Sequence, residues 1–256
     1  MVACVGGPQY RRGMGASPEI AVGGDGWELR TTPSSPFDSA RTRDRVDLFQ
    51  RQAEATFRRT ANVLRMSGRP DPARRVDGYA EWALLQRTNP DRVQRAHALA
   101  ARLAQSSSRV ERFDAALDGA LSLMRADFGN LQLLYPQPRG LRIVAHTGFS
   151  QEFLEYFSDV DDAKSACGRA ARSHGQVVIA DVATDEAFAD HRGIAAAAGF
   201  RAVQSTPVVD RSGRLVGVLS THFRKRHHPS GQDLLLLAHY GRWIADHIYG
   251  NGNVVS

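Results

Sequence analysis

One stretch limits the possible folds more than any other: "RAVQSTPVVDRSGRLVGVLSTHF", Arg201 to Phe223. Two runs rich in Val, Leu and Thr flank Asp210-Arg211-Ser212-Gly213, with Asp leading and Gly closing. That is turn chemistry, and the flanks read as strands. The spacing predicts an antiparallel hairpin with 208 opposite 215, 206 opposite 217, 204 opposite 219 and 203 opposite 220. Side chains alternate across a strand, so two faces follow. One holds Val208, Leu215, Leu219 and Phe223 with Gln204, Thr206 and Thr221. The other holds Val203, Pro207, Val216 and Val218 with Ser205, Ser220 and His222. Gly217 has no side chain, so a helix or ligand can approach its backbone. Neither face is purely apolar, yet both look covered. Such a hairpin suits a sheet with helices on one side and a partly polar cavity on the other.

The rest of the chain supplies those helices. Residues 1–40 are rich in Gly, Pro and Ser without an apolar period, which predicts disorder. From Arg43 the apolar residues Val46, Phe49, Ala53, Phe57, Ala61 and Leu64 recur at helical spacing. "SGRPDP" at 67–72 breaks that helix. Two more follow, "ARRVDGYAEWALLQR" and "DRVQRAHALAARLAQ", the second with Asp91 as its cap. Residues 41–108 therefore read as an Arg-rich helical region. Beyond it, "VERFDAALDGALSLM" carries an amphipathic stripe at 110, 113, 117, 121 and 124. "GNLQLLYP", "GLRIVAHTG" and "QVVIADV" read as strands, and "SQEFLEYFSDV", "DAKSACGRAARSHG" and "DEAFADHRGIAAAAGF" as helices. Ser230 with Asp233 forms a capping signal ahead of the final helix "LLLLAHYGRWIADHIY". The order predicts an α+β fold: an antiparallel sheet with helices at both chain ends. Residues 251–256 read as a flexible tail.

Charge narrows the function. Residues 1–108 hold 17 Arg against 11 acidic groups, and residues 109–256 are balanced. The Arg residues are spread along helices rather than clustered, so nucleic acid is not the expected partner. No apolar run approaches the ~20 residues a membrane span needs, and the first residues make a poor signal peptide. Only Cys4 and Cys167 are present, which fits a reducing cytoplasm. No Cys and His cluster has zinc-site spacing, so no metal is expected, and no cofactor is assigned.

The joined pattern "GNLQLLYP…LRIVAHTGF…SACGRAARSHGQVVIADVATDEAFADH…AGFRAVQSTPVVDRSGRLVGVLSTHF…DLLLLAHYGRWIADHIY" resembles a GAF domain of bacterial signalling proteins, over roughly residues 109–250. The resemblance implies a sheet of five or six strands. It also implies terminal helices on one face and a pocket on the other under short helices. Its members mostly sense small molecules or act as dimerising modules. The implied function is a regulatory signal-transduction protein, with a small-molecule ligand and a signalling partner protein, rather than an enzyme.

The larger apolar side chains assign the Leu215, Leu219, Phe223 face to the helices. Ser205, Ser220 and His222 then line the pocket with Val203 and Val218, roofed by helices at 163–173 and 186–198. Asp181, at the end of "VVIAD", is expected to add a charged acceptor at the rim. The Gln204 and Thr206 side is the alternative pocket face. Cys167 lies near the pocket helix and offers a second function, redox chemistry or chromophore attachment. Gly168 follows it where chromophore-binding relatives carry His, and one Cys cannot form an intramolecular resolving pair. The Arg-rich helices offer a third, nucleic-acid-binding regulation. His222, His227 and His228 are weighed as metal ligands and read instead as strand end and surface loop; Asp161-Asp162 reads as a solvated turn, and His174 as complementing a helix C-terminus. Trp243, Ile244 and Ile248 exceed what one sheet face needs, which predicts a homodimer through the helices at 110–124 and 231–249, extended by 43–66.

Overall fold

The computed structural model describes residues 22–23, 26–27, 39–66, 70–136, 139–160 and 163–249. A short ribbon pairs β1 (Val22–Gly23) with β2 (Gly26–Trp27). The disorder expected over 1–40 and the tail over 251–256 otherwise lie outside the described residues, as does Asp161-Asp162. The main sheet has five strands: β3 (Phe128–Pro136), β4 (Arg139–Thr147), β5 (Val177–Ile179), β6 (Ala202–Val209) and β7 (Leu215–Phe223). Their spatial order is β4-β3-β7-β6-β5, and every pair is antiparallel.

The predicted hairpin forms, with its register moved by two residues. Ser205 lies opposite Ser220 and Val203 opposite His222. Two local causes add up. Asp210 Oδ1 accepts from the Ser212 and Arg214 backbone N–H groups at 2.9 and 3.0 Å, which tightens the turn and brings Val209 opposite Leu215. A register shift follows between Val208 and Val209, leaving Val216 as an extra residue on β7. A slip of one residue would exchange the faces, whereas a slip of two preserves them. The predicted faces survive for that reason over 202–208 and 217–223, whereas at the bulge Leu215 pairs with Val209, a position of the other face.

Terminal helices α4 (Arg109–Met124) and α8 (Gly231–Tyr249) cover one face. Both begin with reciprocal caps. Ser108 Oγ accepts from Glu111 N–H while the Glu111 carboxylate accepts from Ser107. Ser230 Oγ accepts from Asp233 N–H while Asp233 accepts from Ser230, as the sequence predicted. The opposite face is covered by three short helices, α5 (Gln151–Tyr156), α6 (Ala166–Ser173) and α7 (Arg192–Ala198).

Some expected helices are shorter. The 185–188 part of the predicted "DEAFADHRGIAAAAGF" helix is a turn, because Asp185 Oδ1 accepts from Phe188 N–H and closes it locally. Likewise α6 starts at Ala166, where Ser165 caps it through Gly168 N–H, and ends at His174 in a left-handed conformation.

Three N-terminal helices, α1 (Ser39–Met66), α2 (Pro70–Thr88) and α3 (Pro90–Gln105), precede the sheet. Asn89 occupies the α3 cap position and Pro90 its first turn. Asp91, expected as the cap, sits one residue inside, where its charge suits the helix N-terminus. Helix α3 packs on α4 and α8, and α2 on α3 and α8. Residues 47–256 form one compact unit. Arg92 donates to Asp233 Oδ1 at 2.6 Å, and Arg95 to Ser122 Oγ at 2.6 Å. Trp82 stacks on His239 with ring centres 4.2 Å apart and meets Trp243 edge-on at 5.6 Å. The apolar surplus read from Trp243 is thus covered within the chain by α2 and α3, and Ile244 and Ile248 are buried. No helix among the described residues is long and apolar enough to cross a membrane.

Gly217 admits a neighbour closely, but the neighbour is β3 rather than a helix or ligand: a Cβ there would collide with the Gln132 carbonyl oxygen. Gly217→Ala is expected to destabilise the fold by about 1–3 kcal/mol, the usual cost of overpacking. Chemical denaturation with an unchanged midpoint would show that the β3–β7 contact is looser than described.

Candidate functional site

The face of the sheet opposite α4 and α8 carries polar groups at alternating positions. On β3 they are Asn130 and Gln132, on β7 Ser220 and His222, and on β6 Ser205. The strand registers place Asn130 beside Ser220 and Ser220 beside Ser205, so three strands contribute one polar row. In the next row, Phe128, His222 and Val203 lie side by side. The roof comes from Phe153, Phe157, Ser165, Ala166, Cys167, Phe188 and Phe200. Between floor and roof lies a cavity in which about 20 Å³ is open to the centres of water molecules. That holds roughly one water. Phenyl rings occupy the remaining space: Phe149 stacks on Phe153 at 3.8 Å, and Phe153 meets Phe157 at 4.8 Å.

The polar floor is only partly satisfied. Ser205 and Ser220 share a hydrogen bond of 2.8 Å. Asn130 Oδ1, Gln132 Oε1 and His222 Nδ1 are buried without a partner. Buried polar groups are normally hydrogen-bonded, so three such atoms around one cavity are a specific deficit. His222 is ringed edge-on by Phe149 at 5.0 Å and Phe200 at 4.7 Å. This apolar burial pushes its pKa down to about 3, so the imidazole is neutral near pH 7. A neutral imidazole offers one N–H and one acceptor.

The structure brings together Val203, Ser205, Ser220 and His222 at the cavity. Val218 shares their face but lies fully buried in the apolar core beside it. Asp181 is a correction. It is not among the residues that line the cavity and is held by Arg201 at 2.6 and 3.0 Å and by Arg226 at 2.6 Å. The Arg201 hydrogen bond holds its carboxyl down to about 2. It ties the end of β5 to neighbouring loops instead of supplying a rim acceptor. The alternative face is also settled, since Gln176 Nε2 joins Thr206 Oγ1 to the Leu234 carbonyl of α8 at 3.0 Å each. Gln204 and Thr221 lack partners as well, but they belong to that helix-packed face.

Cys167 lines the cavity, buried in the first turn of α6 with its Sγ 3.5 Å from Ser165 Oγ. Cys4 lies outside the described residues. His227 stacks on Phe223 at 3.7 Å. Among the described residues no group of three or more His, Cys, Asp or Glu could hold a metal ion. Sequence reading missed Asn130 and Gln132. Their signal was two polar residues at a spacing of two inside the apolar strand "FGNLQLLYP".

A sequence profile of the GAF domain matches residues 108–248. Solved structures that share the fold include the following three. The GAF domain of a phosphoenolpyruvate-protein phosphotransferase from Coxiella burnetii is 12% identical, with 64% of this chain and 95% of that one covered and a TM-score of 0.56. The corresponding Acinetobacter domain is 14% identical, with 64% and 97% covered and a TM-score of 0.53. The free methionine-R-sulfoxide reductase of Neisseria meningitidis, solved with its substrate, is 16% identical, with 61% and 87% covered and a TM-score of 0.51. No curated protein matches the sequence.

His222 makes stability depend on pH. Its folded pKa lies near 3, below the ordinary 6.5, so the unfolded chain binds the proton more readily. Its contribution is complete above pH 6.5 and is lost as pH falls toward 3. Between pH 8 and pH 5 the expected loss is about 2 kcal/mol. His227, lowered chiefly by burial, adds in the same direction, so wild type must be compared with His222→Gln. The variant should lose about that much of the slope in denaturation at the two pH values. Identical slopes would show that His222 is hydrated and free to charge.

Proposed function

The chain belongs to the GAF domain family, and on that premise we propose that it is a cytoplasmic sensory regulator. Its cavity takes up a small molecule, and the helices on the other side of the sheet carry the signal. One observation supports this above the others: Asn130 Oδ1, Gln132 Oε1 and His222 Nδ1 converge on one cavity without partners. A ligand edge that bonds them relieves a desolvation cost of about 1–3 kcal/mol per group. Transmission follows from the strands. The same β7 strand presents Ser220 and His222 to the cavity and Leu219 and Thr221 to the helix face. The Arg92–Asp233 ion pair then joins the start of α8 to α3. In this reading the protein is a binding module, and Cys167 is a wall residue rather than a nucleophile.

Assembly with a second copy is the companion proposal. With Trp243 covered inside the chain, its support moves to α1, where Leu48 and Met66 are 56% and 89% exposed. They lie about five helical turns apart and so share one side of the helix.

Mass spectrometry of natively purified protein should detect a bound small molecule. His222→Ala should weaken that molecule's affinity by about 1–3 kcal/mol while costing less in stability. Loss of stability with unchanged affinity would assign His222 to the scaffold. Sedimentation at roughly tens of micromolar, a range suited to modest interfaces, should show a dimer that Leu48→Glu with Met66→Glu converts to monomer. A wild-type monomer would remove the assembly proposal.

A further inference from the structure

Every side chain lining the cavity is uncharged. The polar ones are Asn130, Gln132, Ser165, Ser205, Ser220 and His222, and burial keeps the last neutral. Basic side chains on the surrounding elements are committed elsewhere. Arg169 donates to both oxygens of Asp185 at 3.1 Å. Arg192 donates to the Val182 and Asp185 carbonyls. Lys164 pairs with Asp190, and Arg224 lies over the Phe128 ring at 4.4 Å and beside Asp127. An anion entering this cavity would leave water and gain no counter-charge. The effective penalty is several kcal/mol per ion. A neutral amide or lactam edge carries a far smaller penalty and offers both a donor and an acceptor.

The shape of the site agrees with the charge. Asn130 and Gln132 are two residues apart on one face of β3, a separation of about 7 Å. Above this floor are Phe153, Phe157, Phe188 and Phe200, whose rings make flat walls. The free space is too small for any ring, so entry requires a phenyl ring to leave. Phe153 is placed to do so. It stacks nearly parallel on Phe149, at 8°, and stands edge-on to His222 at 6.2 Å. It is carried by α5, a helix of six residues. A helix that short has little stability of its own. Its outward swing opens a slot of aromatic width between Phe149 and the polar floor.

We propose that the ligand is a neutral, planar aromatic primary amide. It replaces the Phe153 ring; its two amide N–H groups donate to Asn130 Oδ1 and Gln132 Oε1, and its carbonyl accepts from His222 Nδ1–H. This rests on the sensor reading given above and adds the ligand's chemical class to it.

A matched pair of probes separates charge from shape: benzamide and benzoate have the same ring and differ in one neutral or ionised group. In the full chain, the side-chain amide NMR signals of Asn130 and Gln132 should move saturably with benzamide. They should stay in place with benzoate at the same concentration. Gln132→Leu should weaken benzamide at least about tenfold, the loss of one buried hydrogen bond. The variant should fold about as stably as wild type, because the buried, unpartnered Gln132 Oε1 is removed and an apolar side chain takes its place. Benzoate binding as well as benzamide, with the same signals moving, overturns the neutral class and leaves the sensor reading standing. Unaltered benzamide affinity in Gln132→Leu overturns the seating on the polar floor. Movement with neither probe overturns the proposal. In that last case a molecule recovered from natively purified protein would preserve the sensor reading, and an empty protein would remove both.

Discussion

Strand β7 is buried along all nine of its residues, and both faces of the molecule are built on it. It sits at the centre of the sheet, bonded to β3 on one side and β6 on the other. Its backbone is satisfied by those ladders, so its side chains are free to differ between faces. Leu219 and Thr221 meet the terminal-helix side while Ser220 and His222 meet the cavity. Gly217 is part of the same constraint. Only a residue without a Cβ lets β3 approach there, and that approach fixes where Asn130 and Gln132 stand relative to Ser220.

A strand so placed makes polar residues expensive. Apolar surroundings strengthen a hydrogen bond that is made and penalise one that is missing. Ser205 and Ser220 resolve this by bonding each other. His222 resolves it by staying neutral among phenyl rings, with its pKa held at about 3. Asn130 and Gln132 have no such resolution at their carbonyl oxygens. Their position beside the cavity, under a roof of short helices, distinguishes them from Gln204 and Thr221, which face packed helices. Of these two groups of unpartnered atoms, the one around the cavity is the one beside open space.

The helical layer shows how a surface forecast depends on what else folds against it. Trp243 looks surplus when α8 is considered with the sheet alone. With α2 and α3 in place, it contacts Trp82 and His97 and is half-buried. The Arg-rich composition of the first half has a similar explanation in part. Arg92 donates to Asp233 of α8 and Arg95 to Ser122 of α4, so they join layers rather than face a polyanion.

Local chemistry was legible in the sequence wherever it is settled by neighbours along the chain. Alternation in the hairpin, the Ser230–Asp233 cap and the amphipathic stripe of α4 each need only a few residues to be specified. Together they determine the element order, the α+β class and which face of the hairpin carries Ser205, Ser220 and His222. The face assignment of Ser205, Ser220 and His222 survived a two-residue error in register because side-chain direction has a period of two. Contacts between distant segments were not legible. Asp181 looked like a free acceptor until folding brought Arg201 and Arg226 to it. Asn130 and Gln132 became site residues only when β3 paired with β7, about ninety positions away. The sequence by itself determined which groups are polar within apolar strands. Tertiary structure decided which of them face a cavity, because that depends on which distant surface packs against each face.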